Sequence, residues 1–108
     1  MIVVTYGSPH LEKCCSLSEA AEQEFGPVYA DAVLALLADI EAVDEGQSLI
    51  DLYGATVTIE PDDSLSVAIG ANCFAKFVTV GERVRHDRAG RVIWASVQRL
   101  KLTAVVKW

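Results

Sequence analysis

The chain's 108 residues are 52% apolar and carry a net charge of −6, which gives room for one domain (residues 1–108) with a core large enough to fold without staples or metals, and argues against disorder. Its longest uninterrupted apolar stretches are far too short to cross a bilayer, and an acidic balance counts against general nucleic-acid binding, where a basic footprint is expected. Three cysteines, Cys14, Cys15 and Cys73, make an odd set that fits no disulfide framework, and adjacent Cys14 and Cys15 cannot easily bridge each other.

No Cys-x-x-Cys pair exists, and His10 and His86 are the only histidines, so ligand count argues against a zinc site and no metal or other cofactor is expected. The thiols read as small core residues in a reducing compartment. Met1-Ile2-Val3-Val4 opens a strand-like segment with neither a basic leader nor a cleavage site, so the expected location is cytoplasmic, with no membrane partner. The charge is unevenly spread. Residues 1–63 hold one basic and thirteen acidic residues, whereas residues 64–108 hold eight basic and two acidic ones. Such a split implies an acidic layer and a basic layer in one fold.

Residues 1–6 read as a first strand. Ser8-Pro9 offers a helix start, since serine caps orphan amides and proline suits the first helical position. Leu11, Cys14 and Cys15 follow at helical spacing. Ser16-Leu17-Ser18-Glu19 has the pattern of a capping box, which would restart the helix after a bend. Phe25-Gly26 closes that segment, because glycine accepts a left-handed conformation. From Pro27, Tyr29, Val33, Leu36, Ile40 and Val43 recur at steps of four and three, the apolar stripe of an amphipathic helix that Glu45-Gly46 is expected to end. Asp31, Asp39, Glu41 and Asp44 lie off the stripe. Residues 48–53 add a short helical turn before Gly54.

The period then changes from 3.6 to 2. Thr56-Val57-Thr58-Ile59 alternates, Pro61-Asp62-Asp63 reads as a turn, and Leu65, Val67 and Ile69 share one side of the next strand. Gly70-Ala71-Asn72 reverses the chain into a strand over Cys73–Val80. Residues 81–90 are polar and loop-like. A last strand near Gln98–Trp108 places Leu100, Leu102, Ala104 and Val106 on one face and Arg99, Lys101, Thr103 and Lys107 on the other, with Val105 among them. The predicted class is α+β: an N-terminal strand and a helical hairpin packed on a mostly antiparallel sheet of four or five strands.

Leu11-Glu12-Lys13-Cys14-Cys15-Ser16 with Glu24-Phe25-Gly26, Leu65-Ser66-Val67-Ala68-Ile69 through Asn72 and Phe77, and Gly90-Arg91-Val92-Ile93-Trp94 with Val97 together resemble the RelE/ParE toxin superfamily, in its HigB-like branch of plasmid maintenance killer proteins. The resemblance spans nearly the whole chain. It implies a RelE-like fold and a bacterial type II toxin–antitoxin system, in which the toxin is a ribosome-dependent mRNA interferase or, in the ParE branch, a gyrase inhibitor. It also implies a protein antitoxin as partner, with a homodimer and contact with the ribosome or RNA as further, weaker implications. RelE-type cleavage requires cationic side chains to hold the scissile phosphate and groups to move protons. At the matching positions stand Phe74, Gly70 and Pro61-Asp62-Asp63, and Trp108 in place of a terminal Tyr-His. Replacing arginine with phenylalanine removes both a charge and a bidentate phosphate grip. The resemblance therefore implies an endoribonuclease framework with its chemistry degenerate.

Lys76, two residues beyond Phe74 on the same strand face, is either a substitute phosphate-holding cation or an ordinary solvated lysine. With Arg99 and Lys101 it forms the candidate set for a relocated catalytic site. Arg99, Lys101 and Lys107 read as a cationic row that meets RNA phosphate or the acidic side of a protein partner, or that blunts a sheet edge, and Trp94 and Trp108 read as packing residues or an exposed interface anchor. Arg83, Arg85, Arg88 and Arg91 with His86 form the densest basic cluster, which the polarity of its surroundings marks as a solvated loop. Cys15 is placed at a helix surface, with nothing nearby in sequence to lower its pKa. His10, at a helix start, is given no role. Two functions stand side by side: a toxin-family component paired with an antitoxin, and a non-catalytic protein-binding or self-associating module on the same fold.

Overall fold

The computed structural model describes residues 1–69 and 73–107, the side chains of Ser18 and Lys107 aside. Strand β1 (Val3–Tyr6) leads into four helices, α1 (Pro9–Ser16), α2 (Ser18–Phe25), α3 (Pro27–Ala42) and α4 (Gly46–Tyr53). A short 3₁₀ turn then precedes β2 (Val57–Ile59), β3 (Leu65–Ala68), β4 (Cys73–Thr79), the ribbon β5 (Arg85–His86) and β6 (Val92–Ile93), and β7 (Arg99–Lys107). The five-stranded sheet runs β1-β7-β4-β3-β2. It is antiparallel throughout except at β1, which lies parallel to β7. The α+β class and the mostly antiparallel sheet are as the alternation of apolar residues predicts. The expected reversal at Gly70-Ala71-Asn72 lies outside the described residues.

The helices form where local signals agree. Ser8 caps α1 by accepting the Leu11 amide at 3.1 Å, and Pro9 follows it. Gly26, at φ 85°, turns the chain between α2 and α3 in a conformation that a side chain would oppose. Val33, Leu36 and Ile40 of α3 are buried as their spacing requires. The capping box at Ser16 does not form: Ser16 is the last residue of α1 and its hydroxyl donates to the Glu12 carbonyl at 2.6 Å. Extended Leu17 caps α2 without a side-chain bond.

Glu45-Gly46 also starts a helix rather than ending one. Helix α3 stops at Ala42, and the Glu45 carboxylate accepts the Ser48 amide at 2.9 Å, capping α4. Gly46 is needed there for closeness: its amide donates to the Val97 carbonyl at 2.8 Å. A Cβ at this position would sit 2.9 Å from the Trp94 carbonyl oxygen.

One face of the sheet carries the core. Leu65 and Val67 of β3, Ala75 and Phe77 of β4, and Leu100 and Leu102 of β7 are fully buried beneath Phe25, Val33, Leu36 and Ile40 of the helices. Each of these side chains larger than Ala75 contributes about 1.5–3 kcal/mol through removal from water, so the helical layer and the sheet depend on one another. Cys15 is part of this core at 8% exposure, which fits the reading of the thiols as small core residues and not its placement at a helix surface.

Strand β7 departs from simple alternation. The register passes from Phe77↔Leu102 directly to Lys76↔Ala104, leaving Thr103 as the extra residue of a β-bulge. Thr103 steadies the bulge by donating its hydroxyl to the Lys76 carbonyl at 3.2 Å. The alternation changes phase there, so Ala104 and Val106 pair opposite Lys76 and Phe74, away from the face of Leu100 and Leu102. Position 107 falls out of phase with Arg99 and Lys101, and the predicted single-face row of Arg99, Lys101 and Lys107 is broken. Nor do Arg99 and Lys101 guard an edge, since β7 lies between β1 and β4.

Candidate functional site

The sheet face opposite the helices is open, and β2, β3 and β4 form a groove of about 570 Å³ on it. Period-two alternation builds its floor. Thr58 pairs with Ser66, Ser66 with Lys76, and Ala68 with Phe74. Small residues at 66 and 68 leave depth beside the larger Phe74 and Lys76. The β2–β3 turn supplies the rim with Glu60, Pro61, Asp62 and Ser64.

The electrostatics of this groove are mixed. Lys76 Nζ lies 5.6 Å from the centroid of the Phe74 ring, within cation–π range. Glu60 accepts a hydrogen bond from Ser66 Oγ at 3.2 Å. Asp62 accepts from both the hydroxyl and the amide of Ser64, at 2.6 and 3.0 Å. Those two bonds, with the Lys76 charge behind them, hold the exposed Asp62 carboxyl below the usual carboxylate range. Among the described residues, two carboxylates and one ammonium group thus line the groove.

The β2–β3 turn is fixed from outside the groove. Residues 81–90, expected as a loop, hold the first strand and the turn of a small hairpin in which β5 pairs with β6. Asp87 closes its turn by accepting the amides of Ala89 and Arg91 at 2.9 and 3.0 Å. Arg91 then reaches to the β2–β3 turn, pairing with Asp63 at 2.8 Å and donating to the Glu60 and Pro61 carbonyls at 3.1 Å each. Asp63 itself sits at φ 63°, a left-handed conformation that aspartate tolerates better than most residues. Its other oxygen accepts the Val92 amide at 3.3 Å. Arg91 is thus a structural member of the basic cluster, and the acidic and basic halves of the sequence meet here.

Of the candidate cations, Lys76 lines the groove beside Phe74. Arg99 lines a different hollow of about 480 Å³, with Arg83, Glu82 and Gln98 around it. Lys101 is half-buried between Thr5 and Val78 of the neighbouring strands and lines neither. The three do not converge on one cavity. His86 is exposed on β5, whereas Trp94 is buried with Val97 against Gly46, which selects packing over an exposed anchor for this tryptophan. Trp108 lies outside the described residues.

A second polar group, to which the sequence reading gave no role, lies on the helical side. His10 Nε2 is 3.2 Å from Glu24 Oε2 and 3.6 Å from Cys14 Sγ. The signal for it is the four-residue spacing of His10 and Cys14, which puts both on one face of α1. Burial first, and then the nearby Glu24 charge, push the Cys14 thiol up. One imidazole nitrogen meets both neighbours, so this is not a relay that activates a nucleophile.

No family model, curated protein or solved structure matches the chain. Its architecture and the two polar groups therefore carry the functional reading.

Proposed function

We propose that this chain is a toxin-family component of a bacterial type II toxin–antitoxin pair that acts through protein binding, with its RNA-cleaving chemistry lost. The resemblance in sequence supports the family, and the groove chemistry supports the loss. A groove that grips RNA needs several cations on the phosphate and a group to move protons. Here, among the described residues, Glu60 and Asp62 line the groove with a single lysine, which lies over Phe74. That imbalance of two carboxylates against one ammonium group is the observation that carries the reading.

The same groove suits a protein segment. Its floor of Phe74, Ala68 and hydroxyl side chains accepts an apolar stem, and Glu60 with Asp62 complements a basic head group. The protein antitoxin is the proposed occupant. The alternative, a self-associating module, has the antiparallel edge strand β2 to recommend it, because an unpaired edge can add a strand from a second copy.

Expression from a tight inducible promoter, with growth followed beside Lys76→Ala and Arg99→Ala/Lys101→Ala, separates these readings from an active toxin. Undisturbed growth with folded protein is expected. Growth arrest relieved by either variant would refute the loss of chemistry. Co-expression with the product of the adjoining gene, followed by size-exclusion chromatography, tests the pairing. A stable complex weakened at least tenfold by Glu60→Lys/Asp62→Lys supports groove binding, whereas two separate monomers count against both binding readings.

A further inference from the structure

We propose that His10, Cys14 and Glu24 form a binding site for a single divalent transition-metal ion of the zinc class, spanning the α1–α2 hairpin. The three donors come from two helices that pack side by side. His10 is the second residue of α1, Cys14 lies one helical turn further on, and Glu24 is the penultimate residue of α2. An imidazole nitrogen, a thiol sulfur and a carboxylate oxygen make a borderline-soft donor set, which suits zinc, cobalt or nickel and not magnesium or calcium.

The geometry fits one ion. Zinc binds imidazole nitrogen and carboxylate oxygen at about 2.0–2.2 Å and thiolate sulfur at about 2.3 Å, so a tetrahedral centre sets neighbouring donors roughly 3.3–3.6 Å apart. His10 Nε2 stands 3.2 Å from Glu24 Oε2 and 3.6 Å from Cys14 Sγ. All three donor atoms lie within 4.8 Å of one another. The remaining sulfur-to-oxygen edge closes by a rotation of Glu24, whose side chain is 48% exposed.

The surroundings divide the labour. Cys14 is buried at 2% exposure and holds a fixed position in the core, while His10 at 66% exposure gives the ion a path from solvent. Three protein donors leave a fourth position facing outward, open to water or to a ligand from a partner. On binding, the Cys14 thiol gives its proton to the solvent and its sulfur electron pair to the metal, with no change of oxidation state. The ion would tie the start of α1 to the end of α2. An eight-residue helix is marginal alone, so such a tie adds order where it is scarce.

The test uses the full, untagged, reduced and metal-stripped chain titrated with Co²⁺ and followed by absorbance. One equivalent should produce a thiolate-to-cobalt charge-transfer band and the visible bands of a tetrahedral centre, and Zn²⁺ should abolish both. Cys14→Ser should lose the charge-transfer band. His10→Ala and Glu24→Gln alter exposed side chains and spare the fold. Each should weaken binding by at least about tenfold, and loss of the imidazole by about a hundredfold. Zn²⁺ should raise the unfolding temperature of the native chain and leave that of His10→Ala unmoved. The absence of a band at severalfold excess cobalt would leave an ordinary ion pair beside a thiol and overturn the site. So would a charge-transfer band that survives in folded Cys14→Ser, or equal affinity in His10→Ala.

Discussion

Arg91→Ala offers the sharpest check on how the groove rim is held. The guanidinium makes three contacts: the Asp63 carboxylate at 2.8 Å and the Glu60 and Pro61 carbonyls at 3.1 Å. Hydrogen bonds to charged groups contribute about 1.5–3 kcal/mol when desolvated. Here Asp63 is 17% exposed and Arg91 44%. Solvent screening at the arginine brings the expected loss to about 2 kcal/mol. For a chain of this size that lowers the unfolding temperature by roughly 8–16 °C, readable by calorimetry or circular dichroism. Arg91→Lys should recover less than half of the loss, because an ammonium group pairs with Asp63 but lacks the fork that also reaches two carbonyls. Asp63→Asn tolerates the left-handed backbone, so it isolates the charge. Its double-mutant cycle with Arg91→Ala should show coupling of about 1 kcal/mol or more. Full stability in Arg91→Ala, or additivity within about 0.5 kcal/mol, would refute the latch.

Three further outcomes follow from the core and its borders. Gly46→Ala should destabilise the fold by about 1–3 kcal/mol, measured by urea unfolding, because the new methyl meets the Trp94 carbonyl and the Val97 side chain with no room to retreat. All three thiols should resist an aromatic disulfide reagent at pH 8 until urea is added. Each is buried, and burial with the Cys14 charge behind it pushes the Cys15 thiol up to about 11. Tyr53 donates its hydroxyl to Asp39 at 2.5 Å, and burial and then that bond push its pKa up to about 12. The folded state thus favours the neutral phenol. Its contribution is complete below the ordinary value near 10 and fades as pH rises from about 10 to 12. Thermal unfolding of Tyr53→Phe should depend less on pH across that window than unfolding of the native chain.

Much of the fold was legible because local and tertiary preferences agree. The stripe from Val33 to Ile40, the Ser8-Pro9 start and the alternation from Leu65 to Ile69 each need only neighbours in sequence to be recognised. What escaped depends on partners distant in the chain. The bulge at Thr103 follows from how β7 meets β4, so alternation within β7 alone could not show that its cationic row is broken. Gly46 and Arg91 read as a terminator and a solvated charge because Trp94 and Asp63 are far away along the chain. The groove was foreseen in part, through Phe74 and Lys76 on one face and the acidic turn at Asp62. The grouping of His10 and Cys14 with Glu24 was not: the four-residue spacing places the first two on one face of α1, but Glu24 comes from a second helix and only the packing of α1 on α2 brings it near.

The parallel pairing of β1 with β7 also sets an order of assembly. β1 is made before β2 to β7, yet among the described residues its neighbour in the sheet is β7, the last of these strands to be synthesised. Until β7 arrives, Leu100 and Leu102 are missing from the centre of the sheet, and β1 and the β2–β3–β4 unit have no strand joining them. The helices can form from local contacts meanwhile, but closing a loop across nearly the whole chain makes the final step slow. During that interval β4 presents an open edge beside Ala75 and Phe77, the surface on which a second nascent copy could lay its own β7. Crowded translation of this chain should therefore yield strand-swapped dimers, and slower synthesis should yield fewer of them.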